Sequence, residues 1–116
     1  MNYKKGDICI CTWGGEFGMG YKSRPVVFWD DLAIAIKRPT FMIIPITTTL
    51  AKIRYEPSLE LKKNSLNGLF DDGILKVYQL ACISKNLLGR VIGKLSEDEK
   101  NRVIQLLKID FPIHQK

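Results

Sequence analysis

An arginine and a threonine, each next to a predicted strand, are the residues of this sequence that could bind a phosphate. Arg24 stands in the segment Arg24-Pro25-Val26-Val27, where a glycine-rich stretch joins a predicted strand. Its guanidinium group stays charged and can bind two phosphate oxygens at once. Thr47 lies near the end of another predicted strand and could donate its hydroxyl to the same phosphate. On residue type alone, an ordinary surface arginine and a β-branched strand end are the simpler explanation.

Several enzyme classes are excluded by motifs that the sequence lacks. It contains no GxxxxGK[ST], no HExxH and no GxSxG, and its single histidine is His114. A ribonuclease mechanism with two imidazoles as acid and base is therefore implausible. Cleavage of RNA by its own 2′-hydroxyl needs no protein nucleophile, only alignment and stabilisation of charge on the phosphate.

The distribution of charge favours a polyanionic partner. Eighteen Lys and Arg against twelve Asp and Glu give a net charge of +6. Residues 1–95 hold fourteen basic and eight acidic side chains, whereas residues 96–116 hold four of each. The excess thus lies before the last predicted helix, as in nucleic-acid-binding proteins. A basic, solvated surface that binds no nucleic acid explains the charge equally well.

The three cysteines, Cys9, Cys11 and Cys82, show no metal-binding spacing. Cys9 and Cys11 are two residues apart on a predicted strand, so they share a face and cannot easily form a disulfide with each other. We expect all three to be buried as small apolar residues in a reducing compartment. We expect neither a metal nor another cofactor.

Apolar periodicity and turn signals predict a mainly β protein with a C-terminal helix. The longest strongly apolar stretch, residues 41–46, is far shorter than the roughly 20 residues that span a membrane. We therefore expect one cytoplasmic domain over residues 1–116 and no membrane partner. The predicted strands are residues 7–13, 25–29, 41–48, 55–61, 74–83 and 90–95, with a short helix near residues 30–38.

The last helix is predicted from a capping box at Ser96-Glu97-Asp98-Glu99. Its apolar stripe is formed by Val103, Ile104, Leu106 and Leu107. About five to seven short strands with one closing helix indicate a small, strongly bent sheet or barrel.

Several segments, in this order, resemble the MazF/PemK toxin family over nearly the whole chain. No single segment is specific, and the order and spacing carry the resemblance. The matching segments are Gly6-Asp7-Ile8, the glycine-rich loop with Glu16, Arg24-Pro25-Val26-Val27, Pro45-Ile46-Thr47, Val77-Tyr78-Gln79 and Lys94-Leu95-Ser96-Glu97-Asp98-Glu99.

This resemblance implies an SH3-like barrel of the CcdB/PemK type that forms a homodimer. It implies a metal-independent, sequence-selective endoribonuclease, the toxin of a type II toxin–antitoxin system, which cuts single-stranded mRNA. The products would carry a 2′,3′-cyclic phosphate and a 5′-hydroxyl. A cognate MazE-like antitoxin would block the RNA groove with an acidic, flexible tail.

The resemblance also assigns roles to individual residues. Arg24 and Thr47 match the catalytic positions of MazF-like members. Because an arginine pKa above about 12 makes a poor base, we assign Arg24 charge stabilisation and leave the proton acceptor open. The expected RNA-binding residues are Glu16, Phe17, Tyr21, Lys22, Thr48, Lys52, Lys76, Tyr78 and Gln79. The apolar loop residues Phe17, Met19 and Tyr21 either stack on bases or fold back over the barrel.

Three positions near Gln79 depart from the family patterns. Ala81 stands where an arginine is often found, so that cation is missing. Kid-like members have an arginine and an aspartate just before the glutamine, where this sequence has Lys76 and Tyr78. Lys76 could still neutralise a phosphate, and Tyr78 could stack on a base.

Two other functions remain alternatives at this stage. A gyrase inhibitor of the CcdB type shares the barrel but acts through C-terminal residues that include a tryptophan. This chain ends in Phe111-Pro112-Ile113-His114-Gln115-Lys116, without one. A non-catalytic RNA-binding barrel would have the same charge and fold as the enzyme.

Overall fold

Strands dominate the computed structural model, which describes residues 2–14, 21–48 and 55–110. The described part of the chain contains seven strands, two α-helices and two short 3-10 turns. The strands are β1 (Asp7–Gly14), β2 (Tyr21–Phe28), β3 (Thr40–Thr48), β4 (Leu59–Leu61), β5 (Gly73–Leu75), β6 (Ala81–Ser84) and β7 (Leu88–Lys94), and the helices are α1 (Leu32–Ala35) and α2 (Glu97–Asp110).

The strands form one antiparallel, curled sheet in the order β4-β5-β3-β2-β1-β7, with β6 also paired to β3. The predicted mainly β architecture with a C-terminal helix is confirmed. Apolar side chains pack on both faces of the sheet. Ile8, Val27 and Ile44 lie in a core that α2 covers, and Cys9 and Phe28 lie in a second core on the other face. Side chains at alternate positions of one strand are therefore buried in different cores, which explains why both faces of β1 are apolar.

A 3-10 turn interrupts the strand that the sequence predicts over residues 74–83. Near the end of β3, Thr48 pairs with Gly73 of β5. Earlier in β3, Ile43 pairs with Ala81 of β6. Between these two ladders, residues 76–80 face only residues 44 and 45 of β3, so the extra residues fold into the turn Val77–Gln79. Burial of the Val77 side chain in the core holds the turn in place. The prediction of one continuous strand around Gln79 was wrong for this reason.

The predicted strand at residues 55–61 is also shorter in the structure, where only Leu59–Leu61 is extended and paired. Pro57 has no N–H to donate to a sheet. The N–H of Ser58 donates instead to the Glu56 carboxylate, at 3.1 Å between Ser58 N and Oε2. Local hydrogen bonds thus replace the strand pairing before Leu59.

The capping box of α2 is confirmed. The Ser96 N–H donates to Glu99 Oε1 at 2.9 Å, and the Glu99 N–H donates to Ser96 Oγ at 3.1 Å. Val103 is fully buried against the sheet, whereas Ile104 is 43% exposed. Ile104 therefore does not belong to the buried stripe that the sequence predicts.

The segment of residues 62–72, which joins β4 to β5, bridges the two ends of the curled sheet. The Lys94 N–H on β7 donates to the Leu66 carbonyl at 3.1 Å. Inside the segment, the buried Asn67 side chain accepts from the N–H groups of Asn64 and Leu69, at 3.1 and 3.0 Å, and donates to the Lys62 carbonyl at 2.8 Å. One buried amide thus organises this segment.

Replacement of Asn67 by Ala leaves these backbone groups without partners, so Asn67→Ala should lower the free energy of unfolding by about 2–3 kcal/mol. Urea unfolding followed by fluorescence of the buried Trp29 measures the change. Asn86→Ala, at an exposed position, is the control and should stay within about 0.5 kcal/mol of wild type. Equal stability of the two variants would contradict this role of Asn67.

The prediction that all three cysteines are buried holds for Cys9 and Cys11 but is wrong for Cys82, which is exposed on β6. Burial raises the pKa of the Cys9 thiol to about 12 and that of Cys11 to about 11. A raised pKa leaves less of the reactive thiolate at a given pH.

Alkylation of the native protein at about pH 8 should therefore modify Cys82 first and leave Cys9 and Cys11 unmodified until urea unfolds the chain. Mass spectrometry of peptides from samples taken over time identifies the modified thiols. Alkylation of Cys9 in the native protein as fast as that of Cys82 would show that this core face opens.

Candidate RNA-cleavage site

The sheet borders a cavity of about 770 Å³. Its walls come from β1, β2, β3, β7 and the end of the segment of residues 62–72. On β1, Ile8 is buried in the core and the next residues of the same face, Ile10 and Thr12, line the cavity. The face that forms the core at one end of the sheet thus forms the cavity wall at the other.

Arg24 lies inside β2, is exposed and lines this cavity. It pairs with Cys11, and β2 begins three residues earlier, at Tyr21 paired with Gly14. The sequence-based placement at a junction between loop and strand was therefore wrong. The β1–β2 ladder continues beyond the apolar core, so its last residues need not be apolar. Their polar, glycine-rich sequence therefore does not indicate a strand. No ion pair involves Arg24 within the described residues.

Thr47 lines the same cavity from β3, where it pairs with Ile74 of β5. The ladder between β2 and β3 has three pairs and ends at Val26 with Pro45. The same register, continued by two residues, would set Arg24 opposite Thr47. Pro25 lacks the N–H that would extend this ladder to Ile46. The Pro45 carbonyl accepts from the Lys76 N–H, so the Pro45 backbone faces the other side of β3. The cavity therefore opens where a proline of β2 ends the pairing of β2 with β3.

Arg90, which sequence reasoning missed, brings a second guanidinium group to the cavity. It lies on β7, which pairs with β1 on the side opposite β2. Its side chain is exposed and forms no ion pair within the described ranges. Nothing in the local sequence marks this residue, because the order β7-β1-β2 alone brings it near Arg24.

Two neighbouring carboxylates at the rim of the cavity have different surroundings. Asp72 Oδ1 accepts from the Lys63 N–H at 2.9 Å, and Asp72 Oδ2 lies 3.6 Å from Lys62 Nζ. The hydrogen bond from Lys63 is the main cause of the lowered pKa of Asp72. Asp71 is exposed and has no polar partner among the described residues. Asp72 therefore fixes the segment, whereas no contact in the described structure holds the Asp71 carboxylate.

The predicted RNA-binding residues around Gln79 do not line this cavity. Lys76 precedes the turn Val77–Gln79, and its N–H donates to the Pro45 carbonyl at 2.9 Å. The Tyr78 ring packs edge-on against Tyr55, with 5.9 Å between centroids. These contacts hold the turn beside β3 and outside the cavity.

Other predicted residues are described only in part or not at all. Tyr21 and Lys22 begin β2, and Thr48 ends β3, but their side chains lie outside the described part of the structure. Glu16, Phe17 and Lys52 lie outside the described residues altogether. The structure thus brings Arg24 and Thr47 together and adds Arg90 and Asp71 to them.

Residues 2–14, 21–48 and 55–110 contain no cluster of three or more His, Cys, Asp or Glu side chains placed to hold a metal ion. No helix within these ranges is long and apolar enough to cross a membrane.

Several solved toxins share this fold. The Mycobacterium tuberculosis toxin MazF-mt6 superposes with a TM-score of 0.72 at 21% identity, over 91% of this chain and 96% of that one. A MazE–MazF structure from Deinococcus radiodurans gives a TM-score of 0.79 at 14% identity, over 97% and 99%. An endoribonuclease in complex with its cognate antitoxin from a mycobacterial species gives 0.71 at 15% identity, over 97% of each chain.

No curated protein gives a significant match to the sequence. The sequence pattern of one family does match, over residues 4–111, which is nearly the whole chain. The curled seven-stranded sheet with its C-terminal helix is the fold of the toxins above. The chain therefore belongs to the family of PemK-like, MazF-like toxins of type II toxin–antitoxin systems.

Proposed function

We propose that this chain is a single-domain, metal-independent endoribonuclease that cuts single-stranded mRNA at selected sequences in the cytoplasm. The observation that carries the proposal is the meeting of Arg24 and Thr47, from β2 and β3, in one cavity that also contains Arg90. Two guanidinium groups without ion pairs in the described structure suit a phosphodiester, because each can bind the phosphoryl oxygens bidentately.

In the proposed reaction the RNA supplies its own nucleophile. The 2′-oxygen attacks the adjacent phosphorus, the bond from phosphorus to the 5′-oxygen breaks, and a 2′,3′-cyclic phosphate forms. The 2′-hydroxyl loses one proton and the departing 5′-oxygen gains one, so no water is consumed. Negative charge concentrates on the phosphoryl oxygens during the attack, where preorganised cations stabilise it most.

We assign Arg24 the stabilisation of this charge and Thr47 a hydroxyl hydrogen bond to the same phosphate. Arg90 would bind the phosphate backbone from the other side of β1. Arg90, on β7, would thus provide the positive charge that is missing at Ala81 on β6. The described lining of the cavity holds no histidine, in agreement with a mechanism that needs no imidazole pair.

We further propose a MazE-like antitoxin as inhibitor and a homodimer as the active form. The mycobacterial endoribonuclease that shares this fold was solved with its cognate antitoxin, and the Deinococcus radiodurans toxin with MazE. An acidic antitoxin segment would compete with RNA for the two arginines, because both ligands are polyanions.

Arg24→Ala should lower the rate of cleavage of a long single-stranded RNA by about 10²- to 10³-fold, because the phosphoryl charge loses its main partner. The assay contains EDTA, and end mapping locates the cuts. Direct labelling by polynucleotide kinase, without prior phosphatase treatment, detects 5′-hydroxyl ends. Arg102→Ala, on the exposed side of α2, is the control and should cut as wild type does. Binding of varied RNAs without cuts by the wild-type chain would instead identify a non-catalytic RNA-binding barrel.

Arg90→Ala should weaken RNA binding uniformly across sequences and reduce the slope of log affinity against log salt by about 0.7, the value for one phosphate of a single strand. Titration of a 2′-O-methylated, uncleavable RNA at several salt concentrations measures the slope. A slope equal to that of wild type and of Arg102→Ala would exclude a phosphate contact at Arg90.

A further inference from the structure

Phe70 is the most exposed large apolar side chain of the described structure, at 87%, and it stands at the rim of the cavity that contains Arg24. Single apolar residues on a protein surface are common and need no explanation. A benzyl group beside two guanidinium groups is different, because nucleic acids offer a flat apolar surface next to each phosphate. Single-stranded RNA is recognised largely by stacking of its bases on such side chains.

Fixed backbone on both sides presents this ring to solvent. Before it, the Leu69 N–H donates to the buried Asn67 amide at 3.0 Å. After it, the Asp72 carboxylate accepts from the Lys63 N–H at 2.9 Å. Gly68, at φ +67°, packs so closely that a Cβ there would lie 2.1 Å from the Ile92 carbonyl oxygen on β7. The Phe70 backbone is therefore positioned before any ligand binds.

Asp71 adds a carboxylate that a purely phosphate-binding cavity would not favour. Asp72 is compensated by Lys62 and Lys63, but Asp71 has no polar partner in the described structure. Next to Arg24 and Arg90, its negative charge opposes binding of the RNA backbone. A carboxylate accepts hydrogen bonds only, so its favourable partners in RNA are N–H and O–H donors. Among these, the exocyclic amino group of a base is the donor that differs from base to base.

We propose that Phe70 and Asp71 together read one base of the RNA next to the scissile phosphate. This inference rests on the proposed ribonuclease function and adds a specificity element to it. Phe70 stacks on the base, and Asp71 accepts a hydrogen bond from its amino group. Adenine, cytosine and guanine carry such a group, whereas the single ring donor of uracil, N3–H, lies between two carbonyl oxygens that the carboxylate repels. The element therefore favours an amino-bearing base over uracil.

The two residues have separable effects. Stacking depends little on which base is present, because every base has a π-face. The carboxylate discriminates among bases, and it lowers the affinity for any RNA through its charge. Loss of the ring should therefore weaken binding, and loss of the charge should strengthen binding while it relaxes the choice of base.

Phe70→Ala tests the stacking. Cleavage mapping first locates the cut, and a short 2′-O-methylated RNA that spans it is then made with each neighbouring base intact, abasic or replaced by uracil. At the RNA position whose base stacks on Phe70, Phe70→Ala should weaken binding of the intact RNA about tenfold. It should leave binding of the RNA that is abasic at that position unchanged. Ile34→Ala, which removes another exposed apolar side chain, on α1, is the control and should match wild type.

Asp71→Asn tests the discrimination with the same RNAs. The wild type should bind the amino-bearing base in preference to uracil, and Asp71→Asn should remove that preference and bind the uracil RNA more tightly than wild type does. Asp98→Asn removes an exposed carboxylate on α2, away from the cavity, and should keep the preference.

Three results would overturn the inference. First, Phe70→Ala could weaken binding of the intact and the abasic RNA equally, or weaken neither. Second, Asp71→Asn could keep the preference for an amino-bearing base over uracil. Sedimentation could instead show that Phe70→Ala dissociates a dimer without a change in base dependence, which would make Phe70 a protein interface. A wild-type chain that cuts RNA but shows one of these results refutes the base-reading element alone. A wild-type chain that neither binds nor cuts RNA refutes the proposed function as well.

Discussion

The short ladder between β2 and β3 is the constraint on which the candidate site depends. Its three pairs set the register of the two strands, and the ladder ends at Val26 with Pro45. Pro25 on β2 lacks the N–H that would continue it. Beyond that point β3 pairs with β5 instead, and the cavity opens with Arg24 and Thr47 on its wall. Two residues that are 23 positions apart in the sequence are thus brought together by backbone geometry.

The electrostatics of the cavity follow from the way its rim is built. The segment of residues 62–72 spans the open edge of the sheet, and it is held by polar contacts, those of Asn67 and Asp72, more than by apolar packing. Such contacts place carboxylates in the same cavity wall as Arg24 and Arg90. The compensation of Asp72 by Lys62 and Lys63 limits the repulsion that an RNA backbone would meet there. Within the described residues, the cavity thus combines two arginines with one carboxylate, that of Asp71, that has no polar partner.

Other parts of the fold keep this arrangement rigid. The sheet carries a core on each face, so a shift of one strand by one residue would move its side chains into the opposite cores, where they would not fit the packing. Burial of Val77 holds the turn that separates β5 from β6, so that β3 pairs with β6 at its beginning and with β5 at its end. Positions that align a phosphate need this kind of support, because catalysis by alignment is sensitive to small displacements.

Much of the fold could be predicted from local sequence. Apolar alternation predicts β1 and β3, the capping box predicts α2, and Asp31 caps the short helix α1. The interrupted strand at Val77–Gln79, the short β4 and the exposure of Ile104 could not be predicted, since each depends on what packs beside it. Local patterns report which residues avoid water, and they do not report which neighbour covers them.

The sequence by itself determined the family and the fold class, because order and spacing along the chain carry that information, and it predicts Arg24 and Thr47 as catalytic residues. Only the tertiary structure decided that Arg24 lies within a strand, that Cys82 is exposed, and that Arg90, Phe70 and Asp71 surround the same cavity. The physical reason is that these placements arise from pairing between distant strands. No segment contains the register of its partner, so chemistry that spans β7, β1, β2 and β3 becomes visible only when the sheet is formed.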